Sequence, residues 1–236
     1  MPDGVVPVPP DKIRPGQLAV VMLGRVIIGD IAATLVDLAV RGMLAVEESD
    51  AEGQTRWIFS GHATARQLGS LLPYEKQLLE AVTVGGQRAT LDSLAPRMPD
   101  VLNSVRQAIV HDAVSRGWLH RFHHDQRTEA AEQIALRIRS FQRDLRKFTS
   151  NQGQAGLNGR LLPYALHFGM VHDDQLPLAR FAHCWVTKFA GLPGWQQPPA
   201  ARPDLDGSDA VAKPTIDEQI MDPNVGAMLW VTGGTI

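Results

Sequence analysis

The 236-residue sequence predicts a mainly α-helical protein of the α+β class, in which small β-hairpins follow some of the helices. Three observations support this fold class. Apolar residues recur at three- and four-residue spacing in several segments, which is typical of helices with one buried face. Two short apolar runs flank the polar, glycine-containing segment 49–55, which indicates a hairpin. Glycine follows the last periodic residue of several segments, and this is a common helix C-terminal signal.

The composition excludes several classes of protein. A hydrophobic content of 44% and a charged content of 20% are typical of a globular chain. The formal net charge of -2 gives no overall attraction for a polyanion, so nucleic-acid binding would need a local basic patch. The single cysteine, Cys184, cannot form an intramolecular disulfide, which favours a reducing compartment. With neither a secretory signal in residues 1–15 nor an apolar stretch of roughly 20 residues, we expect a soluble, cytoplasmic protein.

The first part of the chain predicts one compact unit. Asp30 is a plausible N-cap of its longer helix, and Gly42 follows the end of that helix. The order of elements, namely helix, short strand, helix and two-stranded ribbon, is the order of a winged helix. The two helices are predicted over 17–23 and 30–41, the short apolar run lies at 26–28, and the ribbon strands are predicted over 43–48 and 56–59.

The same order of elements recurs in the second part of the chain. The segments 35–44 and 110–119 align by eye, since both contain an apolar helix end, Arg-Gly, a large apolar residue and Leu. This repeat predicts tandem winged-helix-like units. The second unit comprises predicted helices over 73–82, 92–98 and 101–116, a short strand over 88–91 and a candidate wing that starts at Gly117.

The third part of the chain predicts further helices. Apolar residues in 128–149 lie at helical spacing, with arginines on the remaining surface, and two more helical segments are predicted over 161–170 and 178–189. Five regions are therefore predicted: a proline-rich arm (1–15), a first unit (16–70), a second unit (71–126), a helical segment (127–195) and a linker-like tail with an apolar end (196–236).

Three motifs resemble those of a known family. They are Ile31–Gly42 (IAATLVDLAVRG), Leu72–Leu79 (LPYEKQLL) and Leu162–Gly169 (LPYALHFG), with Trp185 and Phe189 following. In this order, over about 15–195, the chain resembles the cytoplasmic C-terminal region of the YciQ-like predicted bacterial membrane proteins. The function of that family is unknown, so the resemblance implies no catalytic residues. Members of the family usually carry an extracytoplasmic domain and membrane spans ahead of this region, whereas this sequence predicts a standalone soluble chain.

The candidate metal ligands are His120, His123 and His124. Imidazoles could bind zinc or another divalent ion. However, ligands adjacent in sequence on a strand point to opposite faces, and no HExxH motif or paired CxxC motif surrounds these three. A solvated wing tip is the competing interpretation. We predict no catalytic residue and no cofactor. Cys184 and its neighbour His183 could suggest a thiol nucleophile with a base, but they lie about 100° apart on a helix and do not face each other.

The candidate binding residues are basic or aromatic. A basic region near residue 140 invites a DNA hypothesis, but the helices before each wing offer few cations to a groove. The sequence favours a non-catalytic module of the bacterial cytoplasm that binds a protein or peptide at the edge of a wing ribbon or in the groove beside it. Two alternatives stay open: a winged-helix DNA-binding regulator, and an accessory biosynthetic enzyme that uses 120–124. The candidate binding residues are Arg41, Arg116, Trp118, Arg139 and Arg143.

Overall fold

The computed structural model is mainly helical, and its three strands form one antiparallel sheet, which confirms the α+β class. The predicted tail, 196–236, lies outside the described residues. The helices are α1 (Leu18–Leu23), α2 (Ile28–Val40), α3 (Ala65–Leu68), α4 (Pro73–Val82), α5 (Leu91–Leu94), α6 (Met98–Ser115), α7 (Glu129–Gln152), α8 (Leu162–His167) and α9 (Pro177–Phe189), and the strands are β1 (Leu44–Ala51), β2 (Gln54–Gly61) and β3 (Ala89–Thr90). The structure describes residues 6–51, 54–83, 88–121, 123, 126–153, 157, 159–171, 176–193 and 195.

Helix α2 lies at the centre of the protein. Every residue from Ile28 to Leu38 is buried, and the helix packs against α4, α8 and α9. A helix that is apolar nearly all round needs such surroundings. Its start differs from the prediction, because the N-cap is Ile27 and Asp30 lies in the first turn, where its carboxylate accepts the Ile27 N–H at 2.9 Å. The apolar run at 26–28 thus leads into the helix and is not a strand.

The sheet combines strands from both predicted units. β1 and β2 form the predicted hairpin, with strands longer than expected and a register from Leu44↔Gly61 to Ala51↔Gln54. The short strand β3 pairs with β2 through Phe59↔Ala89, so the strand order is β1-β2-β3. Helix α9 covers one face of the sheet, where its aromatic residues pack edge-on against Trp57 and Phe59. The second unit therefore contributes a strand to the hairpin of the first.

The second unit differs from the first in its predicted wing. After Gly117, the described residues contain a single isolated bridge between Leu119 and Arg127. Thr128 then caps α7, because its side chain accepts the Ala131 N–H at 3.3 Å. The predicted helix over 92–98 is a four-residue α5 capped by Thr90, followed by a 3-10 turn that leads directly into α6.

The two Arg-Gly junctions have the same backbone geometry. Gly42 has φ 71° and Gly117 has φ 72°, which is the left-handed conformation that glycine adopts without strain. In both, the N–H of the glycine and the N–H of the next residue donate to carbonyl groups in the last turn of the helix. The Met43 N–H donates to the Leu38 carbonyl at 2.9 Å, and the Trp118 N–H donates to the Ala113 carbonyl at 2.8 Å. This pair of bonds ends many helices. The aligned repeat thus corresponds to one repeated turn.

One contiguous core includes residues from all three predicted segments. Apolar residues of α2, of α6 and of α7 to α9 belong to the same buried cluster. A long-range hydrogen bond closes the amino-terminal side of this core, since the buried Tyr164 hydroxyl donates to the Ile13 carbonyl at 2.6 Å. None of the helices in the described ranges combines the length and the apolar character that a bilayer span requires.

Candidate interaction surfaces

Arg41 lies in a buried charged cluster between α2 and α4. Its guanidinium donates to Asp37 and to Glu75, both at 2.9 Å, and only 15% of its side chain is exposed. The second Glu75 oxygen accepts the Leu72 N–H at 2.8 Å, which caps α4. Arg14 approaches Glu75 to 3.7 Å. The candidate binding residue Arg41 is thus engaged in joining two helices inside the protein.

The charges of this cluster balance one another. Burial raises the pKa of the Asp37 carboxyl, the Arg41 guanidinium opposes that rise, and the nearby Glu75 carboxylate adds to it. Two arginines face two carboxylates, so the group carries little net charge. Removing one member would leave a buried charge without its partner, which costs more than the intact group contributes.

Arg116 and Trp118 occupy the same positions at the second junction. Arg116 Nε donates to Asp112 at 2.8 Å, and the guanidinium lies 5.1 Å from the centre of the Trp118 ring. Gln17 also donates to Asp112, at 2.6 Å, and so connects α6 with the start of α1. Trp118 is only 5% exposed. These two candidate binding residues therefore pack the junction, and only Arg116 has a substantial face towards solvent.

A buried Asp-His pair connects α2 with α8. The Asp30 carboxylate accepts the backbone N–H groups of Ala19 and Ile27 at 3.2 and 2.9 Å, and His167 Nδ1 lies 3.4 Å from it. Burial raises the pKa of Asp30 well above its usual range and lowers the pKa of His167 to about 3. The two backbone N–H groups oppose the rise in the pKa of Asp30, whereas burial alone accounts for the fall in the pKa of His167. Because both are almost fully buried, the pair has no face for a substrate.

The histidine-rich segment lies at the surface. His120 and His123 are both exposed, and the His123 N–H donates to the His120 carbonyl at 3.3 Å in a tight turn. His124 lies outside the described residues. Within the part of the chain that is described, no three histidine, cysteine or acidic side chains gather closely enough to hold a metal ion.

Cys184 does not have the environment of a nucleophile. Burial raises the pKa of its thiol, although an interaction with Trp57 partly opposes that rise. Its neighbour His183 is exposed whereas Cys184 is half-buried, so the two side chains lie on different faces of α9, as the helical spacing predicts. A thiol with a raised pKa is a weak nucleophile at neutral pH.

Strand β1 has an open outer edge. The His62 N–H donates to the Met43 carbonyl, so these residues form a hydrogen-bonded pair. Backbone groups along an antiparallel strand alternate between the two sides, and every second residue of β1 therefore points away from β2. Among the described residues, none pairs with this outer side. The outward residues are Leu44, Val46, Glu48 and Asp50.

Acidic side chains line the same strand. Glu47 pairs with Arg88 on one face of the sheet, and Glu48 pairs with Arg180 of α9 on the other. Asp50, near the hairpin turn, accepts the Thr55 hydroxyl at 3.1 Å. Charged residues on an edge strand oppose uncontrolled pairing with other sheets. The edge therefore favours an extended partner that carries positive charge.

The second surface feature is a cationic row on α7, formed by the half-buried Arg139 and by the exposed Arg143, Arg146 and Lys147. At 100° per residue these four lie within an arc of about 100° and within about 12 Å along the helix axis. The opposite face of α7 is apolar and buried. Across the described residues, these four make no ion pair.

Neither helix stability nor the helix dipole explains this row. Like charges three or four residues apart destabilise a helix by about 0.2–0.5 kcal/mol per pair. Cations stabilise a helix C-terminus only within about its last turn, and the last turn of α7 contains none. Asp144, three residues before Lys147, offsets part of this repulsion, and an anionic partner would offset the rest.

The helices that would read DNA in a winged helix are unsuited to it. α2 is buried almost throughout, so it cannot enter a groove. On α6, Arg106 lies over the Trp195 ring, with 5.1 Å between the guanidinium carbon and the ring centre. The exposed residues of α6 include no cation: they are Asp100, Ser104, Gln107, His111 and Ser115.

Comparisons of the chain with protein-family models, with curated proteins and with solved structures find no significant match. Function must therefore be inferred from geometry. The sequence predicted Arg139 and Arg143 as binding residues, and in the structure Arg143 is exposed whereas Arg139 is half-buried. The sequence contains no signal for the Asp30–His167 pair. An aspartate early in a helix is usually read as a cap, and a histidine in an apolar motif is usually read as part of the core.

Proposed function

We propose that the protein is a non-catalytic module that binds an extended peptide segment of a protein partner along the outer edge of β1. One observation carries this proposal: an eight-residue edge strand on which the backbone groups of Val46 and Glu48 have no partner among the described residues. An added strand would obtain its affinity from backbone hydrogen bonds and its specificity from alternate side chains. In this proposal the binding site is the ribbon of β1 and β2, which would be the wing of the first of two winged-helix-like units.

The partner's chemistry follows from the charges on the edge. Glu47 points to the face opposite α9, and both Glu47 and Asp50 are exposed. Glu47 and Asp50 lie three positions apart and therefore on opposite faces of the sheet. A peptide with one lysine or arginine on each face would place a cation near each of these side chains. Such cross-strand pairs of opposite charge contribute roughly 0.2–1 kcal/mol each. We therefore propose a basic, extended segment as the ligand, in the bacterial cytoplasm that the resemblance to the cytoplasmic region of YciQ-like proteins implies.

The two other hypotheses have less support. A DNA-binding regulator needs an accessible, basic recognition helix, and neither α2 nor α6 offers one. An accessory enzyme would need groups that converge on a substrate, and the exposed His120 and His123 have no third ligand among the described residues. Neither observation favours these functions over peptide binding.

The test uses a displayed library of unstructured ten-residue peptides, followed by titration calorimetry with the peptides it selects. The variant Glu48→Pro removes an outward N–H without removing a bond to β2, so the strand should remain in place. The matched control Glu48→Ala removes the same side chain but keeps the N–H. We expect Glu48→Pro to weaken binding about tenfold or more, which corresponds to one lost backbone hydrogen bond and the steric block of the ring.

The control decides how the result is interpreted. If Glu48→Ala and Glu48→Pro weaken binding equally, the side chain binds the peptide and strand addition is wrong. If the library yields no peptide that binds below millimolar concentration, the proposed function is contradicted. Urea unfolding of both variants shows whether β1 has kept its pairing with β2.

A further inference from the structure

The cationic row of α7 needs a partner, and the chain itself contains a suitable one. We propose that residues 204–222 dock on Arg139, Arg143, Arg146 and Lys147. This segment carries six carboxylates and one lysine, so the net charge of the whole chain, -2, divides into -5 in this segment and +3 elsewhere. The proposal is independent of peptide binding at β1, because it concerns a different element and the opposite charge.

The spacing of charge fits the row. The acidic residues of the segment are distributed over 19 positions in two groups, with Asp204, Asp206 and Asp209 in the first and Asp217, Glu218 and Asp222 in the second. An extended strand advances about 3.3 Å per residue, so a stretch of four or five residues spans the row of about 12 Å. Either group is therefore long enough to cover the four cations, and no particular conformation of the segment is required.

The path from the core is short enough. The described structure reaches Trp195, which lies beneath Arg106 of α6, and α6 packs against α1, which in turn packs against α7. Two helix packings separate α6 from α7 by about 20 Å. Nine residues lead from Trp195 to Asp204, and an extended chain of that length reaches about 30 Å. The segment can thus reach α7 of the same molecule.

The covalent connection through residues 196–203 favours this segment over a free anionic partner. A covalent linker of this length gives the segment a millimolar effective concentration near α7, so contacts that are weak between separate molecules become populated. The same charges in the same segment would be repelled by Glu47 and Asp50 on β1, which excludes the other candidate surface. Docking would shield α7 from nucleic acids and other polyanions.

Zero-length carbodiimide cross-linking of the full chain tests the contact directly. The reagent joins carboxylates to lysine amines, and Lys147 is the lysine of the row. We expect cross-links between Lys147 and residues 204–222, and none to Lys76, an exposed lysine on α4. The links should disappear in 1 M NaCl, where the screening length falls to about 3 Å. The variant Lys147→Arg keeps the charge and identifies the linked site.

Three results would overturn the proposal. Equal cross-linking of Lys147 and Lys76 would indicate random encounters of the segment with the surface. Salt-independent links would show that charge does not hold it. Cross-links that join isotope-labelled and unlabelled copies would assign the contact to two molecules.

A heparin column provides the second measurement. Neutralising the six carboxylates (D204N, D206N, D209N, D217N, E218Q and D222N) should uncover the row and raise the NaCl concentration of elution. A general gain of positive charge would raise it too, so the comparison is made in two backgrounds. With Arg139→Ala and Arg143→Ala the rise should be lost, and with the exposed controls Arg25→Ala and Arg66→Ala it should remain. An equal rise in both backgrounds would contradict docking on α7.

Discussion

The two Arg-Gly junctions share a turn and an ion pair within the helix, and they differ in the residues that pack around them. At each, an arginine at the end of a helix pairs with the aspartate four residues earlier, and a left-handed glycine follows. The Arg41 side chain is 15% exposed and reaches a second carboxylate in α4, whereas the Arg116 side chain is 37% exposed and lies over Trp118. Local sequence thus determines the turn, and long-range packing determines what each charge contributes.

The largest expected difference between the junctions concerns these two arginines. Arg41→Met keeps most of the side-chain stem but leaves Asp37 and Glu75 buried with only Arg14 nearby, and loss of one partner from a buried ion pair costs about 3–5 kcal/mol. Arg116→Met removes a half-exposed pair and a cation-π contact, each worth about 1 kcal/mol or less. Urea unfolding measures both. Equal losses would mean that the burial of Arg41 has no energetic consequence.

A smaller effect separates the two helix starts. Asp30 and Asp100 are both the third residue of their helices, but Asp30 is buried and Asp100 is exposed. The folded pKa of Asp30 is raised above 3.8, so its contribution to stability is complete below that pH and is lost as the pH rises through the folded pKa. Relative to wild type, Asp30→Asn should therefore gain stability as the pH rises from about 4.

His167 has the opposite sign. Its folded pKa is lowered from 6.5 to about 3, so its neutral form contributes fully above 6.5 and that contribution is lost as the pH falls towards 3. As the pH falls from 6.5 towards 3, His167→Phe should thus gain stability relative to the wild-type protein. Above about pH 4 the contribution of Asp30 to stability falls as the pH rises, whereas that of His167 grows until pH 6.5. Where these two windows overlap, the slopes oppose each other in the wild-type protein, so the single variants reveal dependences that the intact pair conceals. Unfolding curves from pH 3 to pH 8 that stay parallel to wild type for both variants would contradict this account.

The smallest expected difference between the junctions concerns their glycines, because replacing either one by alanine should cause the same loss of stability. Gly42→Ala and Gly117→Ala place a Cβ in a left-handed turn, with no atom within 4 Å of that Cβ at either site. The cost is therefore conformational only, about 1–2 kcal/mol, and equal at both. Thermal unfolding of the two variants gives the comparison. Unequal losses would show that the junctions are not the same turn.

Much of the fold follows from local patterns. The apolar spacing over 128–149 predicted α7 to within a few residues, and the Arg-Gly sequences predicted both left-handed turns. The two-residue β3 was predicted, but its partner was not, because β2 lies 28 or more residues earlier and only tertiary packing brings the two strands together. The burial of Arg41 was unpredictable for a similar reason, since arginine is usually exposed unless a distant residue such as Glu75 pairs with it.

Of the two candidate surfaces, one follows from local sequence and the other depends on tertiary structure. The cationic row on α7 could be predicted from the spacing of Arg139 and Arg143 alone. The open side of β1 could not, because the outward groups depend on which side of the hairpin β3 occupies. The hydrogen bond between Gln17 and Asp112, 95 residues apart, likewise has no sequence signal.

The bond between Tyr164 and Ile13 constrains how a ribosome can deliver this protein. Its two residues are 151 positions apart, and at a synthesis rate of 5–20 residues per second roughly 8–30 s separate their appearance. For most of that interval α2 has been made but its partners α8 and α9 have not, so the apolar surface that α2 buries against them has no partner. A nascent chain stalled before residue 164 would expose this apolar surface of α2 to chaperones and to neighbouring chains.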